Sequence, residues 1–138
     1  MILPKEKIAK LLETVPEIQF ALLFGSAKTG IIKEGSDVDL GICLRKAHSE
    51  LDIMLKISAL LEDNLPGIRF DIVNLHKASP ILRFEALQGE VIFLPDDNMD
   101  SYSDFYSKTC AEYEDQVFWM KKQLQYRGYE VQWGNNCL

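Results

Sequence analysis

Gly25-Ser-Ala-Lys-Thr-Gly-Ile-Ile-Lys-Glu-Gly-Ser-Asp-Val-Asp39 lies between two apolar runs, Phe20-Ala-Leu-Leu-Phe24 before it and Leu40-Gly-Ile-Cys-Leu44 after it. An apolar run that ends in Gly-Ser reads as a buried strand, stopping where its backbone must come close to something. Asp37 and Asp39 stand two apart at the head of the second run, so in extended chain their carboxylates share a face. Two such carboxylates repel unless a cation is supplied, and hard oxygen donors with room for water and phosphates suit Mg2+. Ser26 and the amides around the glycine turn would then be the phosphate-side partners.

The chain has 138 residues, enough for one domain with a real core and too few for a second. Hydrophobic residues make up 47% and charged residues 26%, which is ordinary globular composition and argues against disorder. A formal charge of −6 speaks against a protein that grips a long nucleic acid through its phosphates. It leaves room for a nucleotide, whose charge Mg2+ can meet locally. Cys43, Cys110 and Cys137 are widely spaced and odd in number, which suits a reducing compartment better than a disulfide framework. With only His48 and His76, both expected in loops at the surface, no zinc-type cluster can be assembled. Neither a signal-like apolar segment nor a membrane-length run is present, so a cytoplasmic protein without membrane contact is expected.

Working outward, Ile8, Leu11, Leu12 and Val15 recur at helical spacing between Pro4 and Pro16, and residues 18–24 read as a central strand covered on both faces. Glycines punctuate residues 25–36, where a short helix or loop is expected. Residues 38–44 form the second strand. Ser49-Glu-Leu-Asp52 resembles a capping box opening a helix to about Asn64, with Leu51, Met54, Leu55, Ser58, Leu61 and Leu65 as its inward stripe. In the third strand, residues 68–75, Ile68, Phe70 and Ile72 share one face while Arg69, Asp71 and Val73 share the other. Ser79-Pro80 starts a helix that Gly89 stops, and residues 91–94 form a short last strand. After a linker-like break at residues 95–100 comes a long aromatic helix to about Tyr126. Its aromatics exceed what one helix face can bury, which suggests an interface. The order is that of an α/β layer fold, with residues 1–95 as core and 96–138 as C-terminal helix and tail of the same domain.

Gly25-Ser26, ten residues, then Asp37-Val38-Asp39 resembles the Gly-Ser-x10-Asp-x-Asp signature of the DNA polymerase beta-like nucleotidyltransferases. The short chain is most similar to the minimal nucleotidyltransferases (MNT) that accompany HEPN-domain partners in prokaryotic toxin–antitoxin pairs. That resemblance implies a single-domain nucleotidyltransferase fold, a small mixed sheet with helices packed on it and the motif at one sheet end, plus a C-terminal helix. It implies two Mg2+ ions held by Asp37, Asp39 and Asp71, with Asp71 also the candidate base, and ATP phosphates held by Gly25 and Ser26. It implies a HEPN toxin as partner, with AMP placed on a tyrosine hydroxyl. The chemistry suits the residues, since two metal ions activate a hydroxyl, neutralise an α-phosphate and stabilise pyrophosphate.

Some assignments have a second reading. Asp71 can instead pair with Arg69 or Lys33, and Ser36 is either a phosphate contact or an ordinary turn residue. Lys28 and Thr29 stand where many relatives carry Ala and then Arg, and Lys28 either replaces the lost positive charge or stands in solvent. A binding module is the alternative to an enzyme: an antitoxin that neutralises its partner by occlusion, its nucleotide site vestigial. Retention of three acids argues against it, because they repel without metal.

Overall fold

The structure is a computed structural model and describes residues 2–25, 37–45 and 49–128. Pro4 leads into α1 (Lys5–Glu13), whose Ile8 and Leu12 are fully buried. β1 (Ile18–Phe24) and β2 (Val38–Leu44) follow, each buried along nearly its whole length. Then come α2 (Glu50–Asn64), β3 (Phe70–Asn74), α3 (Pro80–Leu87), β4 (Glu90–Phe93) and α4 (Met99–Tyr126). The sheet order is β3-β2-β1-β4. β1 is antiparallel to both β2 and β4, whereas β2 and β3 are parallel and joined through α2, as a parallel pair requires. The result is the mixed sheet with packed helices and a C-terminal helix that the family resemblance implies.

Strand alternation sorts the side chains into two cores. Ala21, Leu23, Leu40 and Ile42 join Ile8 and Leu12 of α1 and Ile57 and Leu61 of α2 on one face. On the other, Phe20, Leu22, Phe24 and Cys43 join Ala86 of α3 and Phe105 of α4. Both faces of β1 and β2 are therefore sealed, which is why their sequences show no polar alternation. Each buried Leu, Ile or Phe contributes about 1.5–3 kcal/mol. Gly89 lets α3 hand over to β4 by close approach: a Cβ there would lie 1.9 Å from the Leu23 carbonyl oxygen.

Helix α2 departs from its expected phase. Leu61 and Leu65 are buried and Met54 packs partly, but Leu51 and Leu55 are 71% and 59% exposed. Ile53, Ile57 and Leu60 take the inward places instead. The helix is apolar on more than one side, so its period admits two phases and contact with the sheet selects one. The Ser49 capping box does not close either, since its hydroxyl donates to the Asp52 carboxylate rather than accepting from the helix backbone. Asp is one methylene shorter than the Glu that reaches back in a capping box.

Helix α4 is divided along its length. Tyr102 and Phe105 set their rings edgewise against Phe20 at 5.2 and 5.3 Å, and Tyr113 stacks on Phe84 at 4.0 Å. Arg83 pairs with Glu112, tying α3 to α4, and Val117 is the last buried residue. Beyond it Phe118, Trp119 and Tyr126 are 53%, 64% and 94% exposed. The first part of α4 is core, and the aromatic surplus lies in its last turns. The break before α4 is pinned: the buried Asn98 amide donates to the Gln19 carbonyl at 2.9 Å, and its oxygen accepts from Arg45 at 3.1 Å. Cys43 is free and buried. Among the described residues no helix is long and apolar enough to cross a membrane.

Candidate active site

Pairing register brings the acids together. Phe24 at the end of β1 is opposite Asp39, and Asp39 is opposite Asp71 across the parallel β2–β3 pair. Alternation places Asp37, Asp39 and Asp71 on the face that α3 and α4 cover, at the sheet end where β1 stops and β2 and β3 begin. Asp39 is half-buried, while Asp37 and Asp71 are exposed.

Gly25 turns the chain away from β1 with φ +65, a conformation that favours glycine. A Cβ on it would lie 2.3 Å from Asp39 Oδ2, so the carboxylate rests directly against the turn. Ser26, Lys28 and Ser36, the remaining predicted nucleotide contacts, lie outside the described residues, as does His48.

Burial first, and then the charges of Asp71, Glu85 and Asp37, push the Asp39 carboxyl above the usual range. Glu85, on α3, is the functional candidate that the sequence reading missed. An acid in a helix looks solvated until the fold turns that helix toward the strand ends; the one available signal was its place among the apolar residues of α3.

Among the described residues Asp71 does not take Arg69, one of the two alternative partners offered for it; the other, Lys33, lies outside the described residues. Asp37 takes Arg69, with Arg69 Nε donating to its Oδ1 at 3.1 Å. Among the described residues no three His, Cys, Asp or Glu side chains close into a metal cage. The donor set still fits a hard divalent cation: carboxylate oxygens only, crowded enough to raise Asp39, on one face of two adjacent strands. His76 is exposed yet engaged, its Nε2 3.0 Å from both the Leu44 carbonyl and Cys43 Sγ. It lies at the far end of β2 from the acids. Burial pushes the Cys43 thiol up to about 12, so it stays protonated and inert.

The family described as "Polymerase beta, Nucleotidyltransferase" matches residues 6–98, which span α1 to the turn before α4 and include every described acid of the site. The chain belongs to the polymerase beta nucleotidyltransferase family. No curated protein sequence matches this chain. Among solved structures, it is similar to a toxin–antitoxin MntA–HpeT complex carrying two Asp-to-Glu substitutions, with 23% identity, TM-score 0.70, and 90% of this chain and 94% of that one covered. It is similar to a toxin–antitoxin solved with AMP-PNP, at 24% identity, TM-score 0.69 and the same 90% and 94% coverage. A third similar structure is a tri-AMPylated HEPN toxin in complex with MNT antitoxin from Shewanella oneidensis, at 20% identity, TM-score 0.62, covering 88% of this chain and 90% of that one. These likenesses extend the nucleotidyltransferase fold over α4 as well.

Proposed function

We propose that this chain is a minimal nucleotidyltransferase antitoxin that transfers AMP from ATP to a tyrosine hydroxyl of a HEPN-domain ribonuclease toxin. The observation that carries the reading is the register that aligns Asp39 with Asp71 beside the Gly25 turn. The resemblance of the Gly-Ser and Asp-x-Asp stretches, and the fold shared with toxin–antitoxin structures, support the partner and the chemistry.

Asp37, Asp39 and Asp71 are the residues that would hold two Mg2+ ions. When bound, these supply the positive charge that the α-phosphate and the departing pyrophosphate require. The protein's own groups do the rest. The Gly25 turn, with Ser26, Lys28 and Ser36, would seat the β- and γ-phosphates and fix the direction of the leaving group. The acceptor oxygen would form its bond to the α-phosphorus as the bond to the bridging oxygen of pyrophosphate breaks, with Asp71 as the candidate carboxylate to take the hydroxyl proton.

The exposed aromatics at the end of α4 support a protein partner that brings the acceptor with it, since Trp and Tyr are enriched in interface cores. The same surface would serve an antitoxin acting by occlusion alone, so the test must see the covalent product. Purified protein, Mg2+, ATP labelled at the α-phosphate and the HEPN toxin are combined, with Asp37→Asn plus Asp39→Asn as control. Label on the toxin that vanishes in the control is the expected result. A stable complex without label would overturn transfer in favour of occlusion.

A further inference from the structure

We propose that Arg69 is a positioning residue that holds Asp37 in an internal ion pair and yields it when a divalent cation enters the site. Cation loading is then a competition with a guanidinium built into the neighbouring strand. This rests on the metal-dependent reading above.

The pair follows from the register. The Val38 N–H donates to the Arg69 carbonyl at 2.8 Å, and Val38 is opposite Phe70, Asp39 opposite Asp71. One step back toward the sheet end, Asp37 must stand beside Arg69, and period-two alternation puts both on the face that bears Asp39 and Asp71. The 3.1 Å contact from Arg69 Nε to Asp37 Oδ1 is that juxtaposition realised. It commits an oxygen of a predicted ligand to a cation of the protein's own, and it accompanies the absence of a closed carboxylate cage among the described residues.

Exposure decides how tightly the latch is held. The Arg69 and Asp37 side chains are 70% and 54% exposed, so water screens the pair and its strength is that of a surface ion pair. Such a pair yields to a doubly charged ion, yet it still opposes loading while it stands. A guanidinium also repels an arriving cation, adding to the competition for the oxygen.

The test uses the full chain without nucleotide and Mn2+ as the probe, with free ion followed by electron paramagnetic resonance. Arg69→Gln is expected to bind Mn2+ about two- to fivefold more tightly than the wild type at low salt, with the gap narrowing as salt rises. Arg69→Lys should return most of the way to wild-type affinity, which loss of a merely structural contact would not do. In an Asp37→Asn background, removing Arg69 should gain nothing. Unchanged or weaker Mn2+ binding by Arg69→Gln, with wild-type binding intact, overturns this proposal alone. A gain that persists in Asp37→Asn overturns it too, because the arginine would then act on the site without Asp37. If no variant, wild type included, binds Mn2+, the metal-dependent reading falls and takes this proposal with it.

Discussion

The two ends of β2 solve opposite problems with the same backbone. Residues 40–44 are closed between α1 and α2 on one side and α3 and α4 on the other, all of them buried. Residues 37–39 alternate instead between a buried Val38 and two carboxylates, Asp39 beside the charges of Asp71 and Glu85 and Asp37 paired with Arg69. The apolar end gains stability from every neighbour it has. At the acid end each added neighbour of like charge costs stability until a cation arrives. One strand thus links the best-packed part of the molecule to its least comfortable part, and the first holds the second in place.

The comparison breaks most readily at the apolar end. Ile42 has no exposed surface, so Ile42→Ala should lower stability by about 2–5 kcal/mol, read as a lower denaturant midpoint with an unchanged slope. Cation binding by the fraction that remains folded should be unaffected. A loss below about 1 kcal/mol would mean that the two layers do not close over this end as the structure has them.

A smaller effect is expected at the turn that abuts Asp39. Gly25→Ala forces a side chain into the φ +65 conformation, at about 1–2 kcal/mol, and sets a Cβ against the Asp39 carboxylate. Stability should fall less than in Ile42→Ala, but cation and nucleotide binding should be lost in protein that is still folded by circular dichroism. Intact binding in this variant would show that the Asp39 position does not depend on the turn.

What was legible in the sequence follows the same division. Near-continuous apolarity identified both central strands, and the two-residue spacing put Asp37 and Asp39 on one face because that period belongs to any extended chain. The alternation of Phe70, Asp71 and Ile72 likewise held. Register was not legible: that Asp39 meets Asp71, and that Arg69 meets Asp37 rather than Asp71, depends on β2 and β3 being parallel neighbours, which no local pattern states. The α2 stripe failed for a related reason. A helix with Leu51 and Leu55 on one side and Ile53 and Ile57 on another offers two faces, and only the sheet chooses. Periodicity also could not say at which turn α4 leaves the body, so core aromatics such as Phe105 and exposed ones such as Trp119 looked alike.

The smallest expected effect has the opposite sign. Burial, helped by Asp71, Glu85 and Asp37, holds the Asp39 carboxyl above its usual range, so the folded protein binds a proton there more readily than the unfolded chain. The stabilisation that protonation supplies is fully present below the unfolded value and is lost as pH rises through the raised one. At neutral pH the cation-free wild type therefore carries a penalty that Asp39→Asn lacks. Water reaches this half-buried group and screens its neighbours, which keeps the gain under about 1 kcal/mol, a rise of about 1–4 °C in melting temperature. The gap between variant and wild type should close as pH falls into the acid range. With Mg2+ and ATP present the order should invert, because only the wild type is stabilised by ligand. A variant less stable than wild type in the absence of any cation would mean that the acid end of β2 is not under charge strain. The division drawn between the two ends of the strand would then fail at its less stable end.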